Sequence, residues 1–194
     1  MLRSYKELRG FAIRATDSHI GRISDVYFDD RDWRVRYCVV DSGRWFSKRH
    51  VLIGTRPLSV ADFTRRELWV RLSKTEVTGS RTAATDKPVS RHGVDPHLRS
   101  CNAVIGHRLN AIDGKIGRVD DFLIDKKGWL IRHLIVDTEN SHLPAGSRVL
   151  VDPRHVTCIS WPNASVSIDL YRVEATTSPI PARSTAVEWP ITPQ

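Results

Sequence analysis

Six aspartates stand where acid–base or cation chemistry could be done: Asp17, Asp25 and Asp29, and again Asp113, Asp121 and Asp125. Paired carboxylates can divide the roles of general acid and base, and clustered ones can hold a hard cation through oxygen. Both sets fall where turns and strand ends are expected, and an Asp there more often hydrogen-bonds nearby backbone. A structural role is therefore the expectation for all six. The eight histidines show no HxxxH or related ligand spacing, and only His50 and His155 fall in corresponding regions, so no metal site is predicted. Cys38, Cys101 and Cys158 form no CxxC and no short-spaced framework. Cys38, inside Tyr37-Cys38-Val39-Val40, reads as a small core residue. A nucleophile elbow, a Cys/His signature, a P-loop and a GxGxxG are all missing, and with them the motif-based grounds for nucleophilic catalysis or for a nucleotide cofactor. No catalytic, metal or cofactor residues are assigned, and the chain is read as not an enzyme.

One stretch does look suited to binding. Arg31, Arg34, Arg36, Arg44, Lys48, Arg49 and His50 interleave with Trp33, Tyr37, Trp45 and Phe46. Arginine beside exposed aromatics suits an acidic protein surface or the phosphates and bases of RNA. The candidate interaction surface is thus Arg31, Trp33, Arg34, Arg44, Trp45, Lys48 and Arg49. The formal charge of +8 is unevenly spread: residues 1–80 hold 16 Lys/Arg against 10 Asp/Glu, whereas residues 100–178 hold 9 of each. An electrostatic footprint, if used, belongs to the first half.

The elements that must position these residues follow from an internal repeat. Shifting the chain by 96 residues aligns Gly10 to Ser42 with Gly106 to Thr138 without a gap. Identical pairs include Gly10/Gly106, Asp17/Asp113, Gly21/Gly117, Arg22/Arg118, Asp25/Asp121, Trp33/Trp129 and Asp41/Asp137. After a loop two residues longer in the second copy, the match resumes at Val51-Leu52-Ile53 and Val149-Leu150-Val151. Asp41 and Asp137 close the same apolar strand, and their repetition argues for architecture.

Within a unit the apolar pattern is that of short strands. Trp33 to Val40 starts alternating and ends continuously apolar, as a strand entering a core would. Asp113-Gly114 supplies a tight hairpin; Ser18 replaces the glycine in the first copy, which predicts a different or longer loop there. Ser73-Lys74-Thr75-Glu76 has capping-box spacing for a short closing helix, and Tyr171 loses that box in the second copy. The predicted organisation is a first domain over residues 1–80, a polar linker over 81–97, a second domain over 98–178 and a proline-rich tail over 179–194. Hydrophobic residues at 40% suit a globular chain. The first residues hold no apolar stretch of signal-peptide length and no later run reaches a membrane span, so a cytoplasmic location is expected.

The order Leu-x-Ser, Gly-x-x-Ile/Leu, Ala-x-Asp, Ile-Gly-x-Val/Ile, Trp-x-Ile/Val-Arg, Val-Val-Asp and a closing Leu-x-x-x-x-Glu resembles the PRC-barrel family in both copies. The resemblance implies two tandem six-stranded antiparallel β-barrels with short helical turns, an all-β fold. It also implies a habit of protein docking, as in the cytoplasmic part of the photosynthetic reaction centre H subunit and at the C-terminus of the ribosome maturation factor. Neither specific role carries over, because nothing here reads as the membrane helix of the one or the extra N-terminal domain of the other. The implied function is a non-enzymatic adaptor for a protein or multi-subunit complex, peripheral at a membrane complex in one version and compatible with a homo-oligomer. The alternative is an RNA- or ribosome-associated factor using the basic first barrel.

Overall fold

The computed structural model describes residues 2–42, 50–79, 82–83, 89–90, 93–138, 147–177 and 179–180. In the first repeat the order is β1 (Leu2–Ser4), α1 (Tyr5–Leu8), β2 (Ala12–Arg14), β3 (His19–Asp29), β4 (Val35–Asp41), β5 (His50–Gly54), β6 (Leu58–Asp62), β7 (Glu67–Val70), α2 (Lys74–Gly79) and β8 (Thr82–Ala83). Two short strands follow, β9 (Val89–Ser90) and β10 (Gly93–Val94). The second repeat runs through β11 (Leu98–Ser100), α3 (Cys101–Val104), β12 (Arg108–Ala111), β13 (Gly114–Asp125), β14 (Leu130–Asp137) and β15 (Arg148–Val151). It ends with a 3-10 turn at Pro153–His155, then β16 (Val156–Ser160), β17 (Ser165–Ile168), α4 (Arg172–Ala175) and β18 (Pro179–Ile180).

The fold is mostly β, with two eight-stranded sheets of the same plan. The order β6-β7-β2-β3-β4-β5-β8 recurs as β16-β17-β12-β13-β14-β15-β18. Six of the strands in each are those the repeat predicts. A seventh, two residues long, follows the closing helix and pairs with β5 or β15. These edge strands lie past residues 80 and 178, where the repeat pattern stops.

The eighth strand comes from elsewhere in the chain. β1 pairs antiparallel with β13, Leu2 opposite Asp125 and Ser4 opposite Leu123, while β11 pairs with β3, Leu98 opposite Asp29 and Ser100 opposite Tyr27. The compact units are accordingly Lys6–Cys101, called the first unit below, and Met1–Tyr5 with Asn102–Gln194, the second. The sequence boundaries, which start the domains at residues 1 and 98, differ from these units at both starts. Each repeat's opening strand completes the sheet of the other repeat. The two openings are the same tripeptide, so the sequence pattern assigns either strand to either sheet equally well.

This exchange explains the burial pattern of the long strands. One face of β3 and β4 forms the main core with Ile23, Val26, Phe28, Val35, Cys38 and Val40, all buried. Alternation places Tyr27 and Val39 on the opposite face. There they pack with Leu52 and with Leu98 of β11. In the second unit Leu2 packs with Leu123 and Ile135, against Leu150. The continuously apolar end of β4 is thus a strand covered on both faces. Cys38 sits fully buried in this layer, and burial pushes its thiol up to about 12, which keeps it inert.

Bulges and close approaches fix the register. A Cβ on Gly21 would lie 2.1 Å from the Asp41 carbonyl oxygen, and one on Gly117 would lie 1.9 Å from that of Asp137. These repeated glycines therefore let two backbones meet, and Asp41 and Asp137 contribute through their main chain. In the second unit Ala111 pairs with Gly114, leaving Ile112 and Asp113 as a two-residue loop, with Gly114 at φ 137°. The first unit spans the same place with a four-residue loop closed by Ala15 N–H to Ser18 C=O at 2.9 Å, as the missing glycine requires.

Candidate functional site

The repeated carboxylates are all engaged inside their own units. Asp17 Oδ1 accepts from Lys74 N and Asp113 Oδ1 from Arg172 N, each at 2.8 Å, tying the first hairpin to the first residue of the closing helix. That bond from the Arg172 backbone holds the Asp113 carboxyl below its usual range. At Ser73, the backbone N–H donates to Glu76 Oε2 at 2.8 Å, the predicted capping contact. Tyr171 N–H donates to Glu174 Oε2 at 2.8 Å as well. This half of the box survives in the second copy because it needs only a main-chain donor.

Asp25 and Asp121 are not at turns. They lie mid-strand in β3 and β13, next to register shifts that follow Ile23 and Val119, and are buried. Asp25 accepts from Val26 N at 2.7 Å and from the Ser100 hydroxyl. Asp121 accepts from Phe122 N at 2.8 Å and from the Ser4 hydroxyl. Each carboxylate satisfies a donor freed at the bulge and anchors the serine of the exchanged strand. Sequence reasoning could not find that role, since the partners lie 75 and 117 residues away.

Asp29 and Asp125 do form turns. Asp29 Oδ1 accepts from Arg31 N and Asp125 Oδ1 from Lys127 N, both at 3.1 Å. The turn then places Trp33 and Trp129 at φ 57° and 52°, a region ordinary side chains avoid. Their N–H groups donate to the carbonyls of Asp29 and Asp125 at 2.8 and 2.7 Å.

The basic–aromatic stretch is different from its sequence reading. Trp33 is buried, 8% exposed, and stacks on Phe28 with ring centroids 5.2 Å apart. It belongs to the core, because the left-handed turn swings it inward. Arg31 and Arg36 both bond Asp29, at 2.8 and 3.0 Å, and Arg36 also reaches Asp32 at 2.7 Å. The Arg31 guanidinium beside Asp29 holds that carboxyl far below the usual carboxylate range. Arg34 Nε lies 4.0 Å from Asp32. The candidates Arg44, Trp45, Lys48 and Arg49 lie outside the described residues.

Sequence reasoning passed over His107. Its ring, 6% exposed, meets Trp161 edge-on at 5.5 Å, and no hydrogen-bond partner reaches its Nε2. Burial holds its pKa below the ordinary 6.5. The first unit has Phe11 and Phe63 at these positions, 5.1 Å apart. The signal was in the repeat: a histidine aligned with a core phenylalanine. Nearby, a shallow polar cavity of about 470 Å³ is lined by Arg108, Asn110, Lys115, Asn163 and Ser165. In the first unit Arg14 and Glu67 stand where Asn110 and Ser165 do, and they form an ion pair at 2.8 Å.

Among the described residues no three His, Cys, Asp or Glu side chains converge as a metal site, and no helix is long and apolar enough to cross a membrane. Residues 2–75 match the PRC-barrel domain family, whose modules are non-catalytic. No curated protein matches the chain. The matched segment runs from β1 into α2.

Proposed function

We propose that the chain is a non-catalytic docking protein built of two PRC-barrel-type modules that hold a protein or multi-subunit complex. One observation carries this reading. The carboxylates kept in both repeats are spent on helix ends, turns and strand anchors. That is the pattern of a scaffold whose repetition preserves shape. The family match over the first repeat supports it, and the second repeat builds its sheet in the same order. A cytoplasmic setting, free or at the surface of a membrane complex, belongs to the same proposal.

Capture of the tagged full chain from its own cells, with and without ribonuclease and at two salt concentrations, tests this. A defined protein partner retained after ribonuclease supports docking. Ribosomal material lost with ribonuclease or moderate salt would replace it with the RNA reading. The ion pairs of Arg31 and Arg36 weigh against that second outcome, since they commit those guanidinium groups to Asp29.

A further inference from the structure

The shallow cavity of the second unit lies where the first unit keeps an internal ion pair. In the first unit Arg14 on β2 donates from Nε and Nη2 to Glu67 Oε1 on β7, at 3.0 and 2.8 Å. The Glu67 side chain is only 14% exposed, so this face of the paired strands holds a well-shielded carboxylate. In the second unit Asn110 and Ser165 take those two places on β12 and β17, and both long side chains are gone. What remains is the cavity of about 470 Å³ lined by Arg108, Asn110, Lys115, Asn163 and Ser165.

Loss of the carboxylate is not matched by loss of positive charge. Arg108 stands where the first unit has Ala12, and it pairs with Ser165 in the strand register. It is also opposite Arg118 of β13, whereas Ala12 is opposite Arg22. Arg22 and Arg118 each have an aspartate opposite on the next strand, Asp41 or Asp137, so Arg108 is the cation that has been added. Like charges at directly opposed positions destabilise a sheet. The Arg108 guanidinium donates to Asn163 C=O at 3.3 Å, a neutral acceptor, and among the described residues no carboxylate forms an ion pair with it. The second unit therefore arranges a cation, two amides and a hydroxyl around the place of a carboxylate that the first unit supplies itself.

The shape narrows what could fill that place. A cofactor or metabolite site encloses most of its ligand in largely apolar walls, whereas this cavity is shallow and its lining side chains are all polar. A nucleic-acid backbone needs a broad positive field, and residues 100–178 hold as many Asp/Glu as Lys/Arg. The tip of one acidic side chain meets both conditions.

We propose that the cavity anchors an acidic segment of the docked protein, with a Glu or Asp carboxylate in the place that Glu67 fills in the first unit; this assignment rests on the docking reading above. Arg108 supplies charge-assisted hydrogen bonds, and the side chains of Asn110, Asn163 and Ser165 set the orientation.

Anisotropy of a fluorescein-labelled hexaglutamate peptide titrated with the full chain tests this, with backbone NMR shifts to map the site. Shifts are expected at Arg108, Asn110, Lys115, Asn163 and Ser165, with an affinity that falls as salt rises. Arg108→Ala should weaken binding by about tenfold or more. Ser165→Glu, which places the first unit's carboxylate beside Arg108, should abolish it; should that variant not fold, the shift map and Arg108→Ala still decide. Absent binding, shifts outside the cavity, or an affinity that neither variant changes overturns the proposal. An RNA oligonucleotide that takes the same site more tightly than the peptide overturns it as well. Capture from the chain's own cells separates the two readings. A partner retained equally by wild type and Ser165→Glu sinks the acidic anchor and leaves docking standing, whereas a wild-type chain that retains no protein removes docking and the anchor's occupant together.

Discussion

The two units are built on one plan and differ mainly in what has been placed at equivalent positions. The first has Phe11 against Phe63, where the second has His107 against Trp161. Arg14 and Glu67 in the first are replaced by Asn110 and Ser165 in the second, and Asp30 by Lys126. What is shared is the framework: glycines at close backbone approaches, bulge aspartates and exchanged strands. The differences sit on rings and surfaces. The comparison separates residues that make the fold from residues free to be specialised.

The framework should break symmetrically, and most severely at its glycines. Gly21→Ala and Gly117→Ala each drive a Cβ into a carbonyl, at 2.1 and 1.9 Å, and neither main chain can yield cheaply. A loss on the order of 4 kcal/mol or more is expected in either unit, at the upper end for single substitutions, measured by urea unfolding or seen as failure to fold. Asp25→Ala and Asp121→Ala come next. Each strands a bulge N–H and a serine hydroxyl in a buried layer, at on the order of 3 kcal/mol. The melting temperature should fall in both variants; unchanged stability in either would remove the anchor role assigned here.

The asymmetric positions should respond in one unit only. Asp30→Asn removes the carboxylate shared by Arg99 and His97 and should cost about 1 kcal/mol in the first unit. His107 gives the smallest effect and the clearest signature. Its pKa is lower folded than unfolded, so the unfolded chain binds the proton more readily. The second unit should hold full stability above about pH 6.5 and lose it as the pH falls below that value. His107→Phe, copying the first unit, should reduce this acid limb, leaving the part that the partly buried His133 contributes in the same direction, and should flatten the pH dependence of Trp161 fluorescence. An unchanged acid limb would show that His107 does not set it.

Much of this was legible in the chain itself. The offset of 96 residues gave the two copies and the hairpin difference at Ser18 and Gly114, and the Ser73 to Glu76 spacing gave the first closing helix, because those depend on local spacing. The second closing helix was not legible, since Tyr171 hides a box whose remaining half needs only a main-chain donor. Three further things were not, each for a physical reason. The exchange is hidden because Leu2-Arg3-Ser4 and Leu98-Arg99-Ser100 are the same strand. Asp25 and Asp121 look like turn residues because their serine partners are remote in sequence. Trp33 looks exposed beside its arginines, and only the left-handed backbone of that turn carries it onto Phe28.

Each sheet is completed by the opening strand of the other repeat. Backbone cross-strand NOEs in isotope-labelled protein at low concentration test it most directly. Contacts of Arg3 with Ile124 and of Arg99 with Phe28 are expected. Contacts of Arg3 with Phe28 and of Arg99 with Ile124 would show each repeat closing on its own strand and would contradict it.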